Sequence, residues 1–130
     1  MSEWERQMDG LVRLIPTDPE HAATGIRRLF DLALASSRNI DAMAAAQTLL
    51  MLLDEREWYQ EIAPFVRSQP PTCLSLMSLG TAEERLGMLA AAFDSYVRAL
   101  LAEKWTGDHE LLEAAMAGLG RVLARARGGA

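Results

Sequence analysis

The chain has 130 residues, half of them hydrophobic and 24% charged, with a net charge of −5. That length suits one compact domain, 1–130, with a core that needs no staples, and the acidity argues against nucleic acid or an anionic membrane as partner. One cysteine, Cys73, excludes an internal disulfide framework and fits a reducing compartment.

The acidic start Met1-Ser2-Glu3-Trp4-Glu5 does not read as a secretory leader. No apolar run approaches the roughly 20 residues of a membrane span. The expectation is a cytoplasmic protein. Ala, Leu and Met are plentiful while aromatics make up 6% of the chain, a composition of helix formers.

Ser2 and Glu5 have the spacing of a capping box and open a first helix, about Glu3 to Leu14, with Met8, Leu11, Val12 and Ile15 on one face. Pro16 ends it. Thr17 and Glu20 predict a second capping box, with Pro19 in the first turn and a helix to about Ala35. Its inward face is Ala22, Ile26, Leu29, Phe30 and Ala33. Asn39 is the expected N-cap of a third helix, which runs to Leu53. Asp54-Glu55-Arg56 reads as a polar turn. The fourth helix spans about Glu57 to Arg67 with Trp58, Ile62, Phe65 and Val66 inward, and Pro64 must kink or end it.

Pro70-Pro71 is a stop, and Thr72 caps a fifth helix to about Leu86. Gly87 turns the chain into a sixth, about Leu89 to Lys104. Gly107-Asp108 starts a capping helix, about 108–127, with Leu111, Leu112, Ala115, Met116, Leu119, Val122 and Leu123 as its apolar positions. Arg121, Arg125 and Arg127 suit the negative end of that helix's dipole. Gly118 and Gly120 read as sites of close packing, and Gly128-Gly129-Ala130 as a fraying end. No stretch alternates with a period of two. The fold class is therefore all-α, about seven helices in antiparallel hairpins joined by short turns.

Between 73 and 104 the chain carries a repeat signal. A tetratricopeptide unit of about 34 residues reads W-x2-L-G-x2-Y, then A-x3-F, then P. Here Leu76-x2-Leu79-Gly80 is followed by Gly87-Met88-Leu89, Ala92-x3-Tyr96 and Ala99-Leu100. Gly80 and Ala92 are small where two antiparallel helices approach. Glu83 stands at the usual Tyr and Lys104 at the usual Pro. A more degenerate unit precedes it, with Ala46 at a small position and Pro70 at the close. This pattern resembles a short tetratricopeptide-like α-solenoid.

Size, acidity and the run from Ala22 to Leu100, including Trp58-Tyr59-Gln60-Glu61 and Glu84-Arg85-Leu86-Gly87, resemble the small helical-repeat chaperones of bacterial type III secretion, in particular the needle-subunit chaperones of the YscG and PscG type. The resemblance implies a chaperone whose concave face holds an amphipathic helix of the needle subunit and prevents premature polymerisation. It also implies a small helical co-chaperone. The other reading is a generic scaffold or regulatory adaptor binding a folded partner.

In such repeats the first helix of each pair lines the groove, which gives Leu74, Met77, Thr81, Glu84 and Arg85, with Met43, Gln47 and Met51 from the preceding unit. Met77 and Thr81 stand where a carboxylate clamp would need polar donors, so an apolar helix is the expected occupant. Methionines adapt to such a surface, although at least half of Met43, Met51, Met77 and Met88 are expected in the core.

No catalytic, metal or cofactor site is expected. His21 and His109 lie in opening turns among carboxylates, where exposure is the simpler reading. Cys73 reads as a small buried hydrophobe. Glu83 and Glu84 are adjacent on a helix and point in different directions, so they are not an acid–base pair. No phosphate-binding glycine loop, nucleophile elbow or HExxH pattern occurs.

Overall fold

The computed structural model describes residues 2–68, 72–103 and 109–128. The expected Pro70-Pro71 stop, Lys104, the Gly107-Asp108 start and the Gly129-Ala130 terminus lie outside them. The described residues form seven helices and no strand: α1 (Glu3–Leu14), α2 (Pro19–Ala35), α3 (Asn39–Glu55), α4 (Tyr59–Arg67), α5 (Cys73–Arg85), α6 (Leu89–Glu103) and α7 (His109–Arg127). The all-α class is thus shown. Two compact units divide the chain, Met1–Arg56 and Glu57–Ala130.

In the first unit α1 packs on α2 and α2 on α3. Ser2 accepts the Glu5 N–H at the start of α1. The cap of α2 differs from the expected box. Pro19 occupies the first helical position, which makes the preceding Asp18 the N-cap, and its carboxylate accepts the His21 N–H at 3.1 Å. Thr17 instead donates its hydroxyl back to the Leu14 carbonyl.

The cap of α3 differs too. Arg38, not Asn39, is the N-cap, because the Arg38 N–H closes the end of α2 on the Ala33 carbonyl at 2.8 Å, and α3 starts at the next residue. The Arg38 guanidinium also lies 5.7 Å from the Trp4 ring centroid, and the Trp4 indole N–H donates to the Leu29 carbonyl at 3.0 Å. These contacts tie the opening of α1 to the α2–α3 turn. Ile26, Leu29, Phe30 and Ala33 are buried on α2 as the periodicity expects, as are Ala42, Ala45, Leu49 and Leu52 on α3.

The second unit is built on α5, which packs against α4, α6 and α7, while α6 and α7 pack on each other. Thr72 and Ser75 form a full capping box at the start of α5. Gly87 takes φ +80° and lets the Met88 N–H return to the Glu83 carbonyl at 2.8 Å, so the chain reverses in three residues. Ser37 and Glu57 adopt the same left-handed backbone (φ 56° and 60°) without being glycine. Pro64 does not end α4; the helix runs on for one last turn to Arg67, with Ile62, Phe65 and Val66 buried. Trp58, expected inward, is the half-buried N-cap of that helix.

Among the described residues no helix is long and apolar enough to cross a membrane.

Candidate functional site

Two helix faces carry the residues expected to meet a partner, one in each unit. On α3, Met43, Gln47 and Met51 recur every four residues and therefore share one stripe. All three are exposed, Met43 at 67% and Met51 at 57%, and Ile40 extends the stripe one turn earlier at 84%. From Ile40 to Met51 the stripe runs roughly 17 Å along the helix. The opposite side of α3 holds the buried Ala42, Ala45, Leu49 and Leu52. The helix is apolar nearly all round, and water faces one side of it.

The α5 positions have a different surrounding. Leu74, Met77 and Thr81 are half-buried, Glu84 is buried and Arg85 is exposed. Met77 packs against the cluster of Cys73, Leu76, Ala99 and Ala115, whose last member belongs to α7. Thr81 Oγ1 lies 3.2 Å from the Tyr96 hydroxyl. Glu84 turns toward α7 and α6: it accepts the Tyr96 hydroxyl at 2.9 Å and both Arg121 Nε and Nη2, at 3.0 and 3.1 Å. Arg125 adds a hydrogen bond to the Glu84 carbonyl at 3.0 Å. The α5 face thus meets α7 across a polar latch.

The electrostatics of the latch follow from its geometry. Burial pushes the Glu84 carboxyl up, but the hydrogen bonds from Arg121 and Tyr96 and the charges of Arg121 and Arg85 outweigh it. The net effect holds Glu84 below the usual carboxylate range. The Glu84 hydrogen bond raises Arg121 against its own desolvation, and burial raises the Tyr96 hydroxyl. A buried carboxylate needs such partners, since an unpaired one costs several kcal/mol, of order the whole stability of a small domain. Neither Tyr96 nor Arg121 stands out in the sequence as the partner of Glu84. The nearest signal is the Glu83-Glu84 pair itself, set in a helix whose neighbours are apolar.

Glu83 points elsewhere, as its adjacency to Glu84 requires. Its Oε1 accepts the Ser95 hydroxyl at 2.5 Å, inside α5–α6. It lines a cleft of about 390 Å³ together with Arg67, Asp94, Ser95 and Arg98.

The methionines depart from expectation. At least half of four were expected in the core, yet Met43, Met51 and Met88 are exposed and Met77 is half-buried. Leu, Ile and Ala fill the buried positions instead, and the longer thioethers sit at their edges. Gly120, expected at a close packing contact, also departs: a Cβ there would meet no atom within 4 Å. Gly118 and Gly80 do pack closely, both on the Tyr96 ring. His21 and His109 are exposed and Cys73 is buried.

No family model, curated protein or solved structure matches the chain.

Proposed function

We propose that this chain is a non-enzymatic protein-binding module whose α3 face receives an amphipathic helix of a client protein. The observation that carries the reading is the exposed stripe of Ile40, Met43 and Met51 on a helix whose other side is buried. Ile40, Met43 and Met51, at i, i+3 and i+11 with Gln47 at i+7, lie on one helical face, the arrangement by which one helix is laid against another. Methionine side chains adapt to a client of imperfect shape. Large exposed apolar side chains gathered on one face, rather than scattered singly, mark a partner site.

The client class comes from the resemblance to type III secretion chaperones: a secreted subunit that self-assembles, such as a needle subunit, held in the bacterial cytoplasm with a small helical co-chaperone. The tetratricopeptide-like reading of α5–α6 supports the same class.

The test is co-expression with candidate needle-subunit and co-chaperone polypeptides, followed by size-exclusion chromatography with mass detection. A defined complex that forms with the wild-type chain and is lost in Met43→Glu/Met51→Glu, at unchanged helicity, supports the proposal. A monodisperse protein that ignores those candidates sinks the secretion reading and leaves a scaffold for a folded partner.

A further inference from the structure

The exposed side of α7 carries opposite charges at equal distances from a central glycine. Ala115, Gly118 and Val122 turn inward and are buried. Round the helix from them, the half-buried Leu112 and the exposed Met116, Gly120 and Leu123 succeed one another by four, four and three residues, and so share one face. Met116 is 58% exposed and Leu123 is 40%. At its centre lies Gly120, where a Cβ would meet nothing within 4 Å. A glycine inside a helix is about 1 kcal/mol less favourable than alanine, and no packing among the described residues accounts for this one. A glycine on an exposed face lets another backbone approach closely.

Glu113 and Arg127 lie on the same face, seven residues before and seven after Gly120. Reversing the helix end to end about Gly120 therefore sets Glu113 against Arg127, and Met116 against Leu123 and Ala124. Acid first and base last also suits the helix dipole, but the dipole accounts neither for the equal spacing nor for the glycine.

We propose that this face binds a second copy of the chain, α7 against α7, antiparallel, with Gly120 on the two-fold axis. A two-fold interface requires that residue i meet j while j meets i, and this face satisfies that with its own charges. The parallel arrangement would place Glu113 against Glu113 and Arg127 against Arg127. One pair of 19-residue helices buries less than the roughly 1,600 Å² of a standard interface, which puts the contact in the class of weak, reversible ones and makes a micromolar concentration series the range to search. The inference is independent of the α3 face and of any client.

Sedimentation velocity of the whole chain over a micromolar concentration series tests it. The wild type is expected to move from one to two chain masses. Met116→Glu/Leu123→Glu and Gly120→Lys are expected to stay monomeric throughout with unchanged helical circular dichroism, because these side chains point outward. Glu113→Arg alone and Arg127→Glu alone each weaken the dimer by about tenfold. Combined in one chain they restore it, since the reversed charges then meet across the axis. A wild type that stays monomeric overturns the proposal. So does a dimer that survives both Gly120→Lys and Met116→Glu/Leu123→Glu, or a double charge reversal that fails to restore association.

Discussion

At Gly118 the Tyr96 ring lies where a side chain would begin: a Cβ there would sit 2.5 Å from the ring. Gly80 holds the other side of the same ring, with its own Cβ position 3.0 Å away, and Tyr96 is fully buried. The ring has no room to retreat. Gly118→Ala is therefore expected to destabilise the fold by about 1–3 kcal/mol, the range of overpacked cores. Gly120→Ala, two residues on, is expected to stabilise the monomer by about 0.5–1 kcal/mol, since only helix propensity changes. Urea denaturation at a concentration that keeps the chain monomeric checks both, and equal effects of the two would refute the placement of Tyr96. The sequence offers both glycines as packing sites. What separates them is the position of an aromatic ring some twenty residues away, which no local pattern encodes. Ser37 is a further residue-scale case. It takes φ 56° where the equivalent turn after α5 has Gly87. Ser37→Gly is expected to raise the melting temperature, because a left-handed residue with a Cβ is strained by about 1–2 kcal/mol.

The elements themselves were largely legible. Caps, prolines and a 3.6-residue apolar period placed all seven helices, and α1 begins and ends where its capping serine and Pro16 imply. Two caps shifted by one residue, at Asp18 and Arg38, because the prolyl ring and the three-residue turn outweigh the side chain's capping preference. The attachment of α7 was not legible. Its arginines read as dipole partners, whereas Arg121 reaches a carboxylate 37 residues earlier in the chain. That ion pair makes the docking of α7 depend on pH. Glu84 has a lowered pKa in the folded state, so its contribution is fully present above the unfolded carboxylate pKa and is lost as the pH falls through the folded value. Melting temperature measured from neutral pH down to acid should fall more steeply for the wild type than for Glu84→Gln, which carries no titrating group there. At neutral pH the variant should be less stable, with Arg121 left facing an amide. Parallel pH profiles for the two proteins would mean that Glu84 does not hold α7.

On the scale of the whole molecule, the apolar surface is distributed in a way the sequence leaves open. A helix such as α3, with apolar residues on almost every side, has no polar face to say which side water covers. Periodicity therefore marks it as helix and stays silent on its orientation. Exposure settles the point: Ile40, Met43 and Met51 face solvent, on a chain whose net charge of −5 favours solubility. Removing that surface should leave the fold alone. Ile40→Gln/Met43→Gln/Met51→Gln replaces three exposed side chains with a residue of good helix propensity, so the melting temperature should change little, within the ±0.5 kcal/mol usual for surface positions. Binding of a hydrophobic dye to the native protein should drop, because Ile40, the most exposed of the large hydrophobic side chains, and its two neighbours on the stripe no longer offer apolar area. A large loss of stability would place these residues in the core and remove the surface on which the client-binding proposal stands. Unchanged dye binding with an intact fold would move the exposed apolar area to another face, and the outward side of α7, with Met116 and Leu123, would be the place to look.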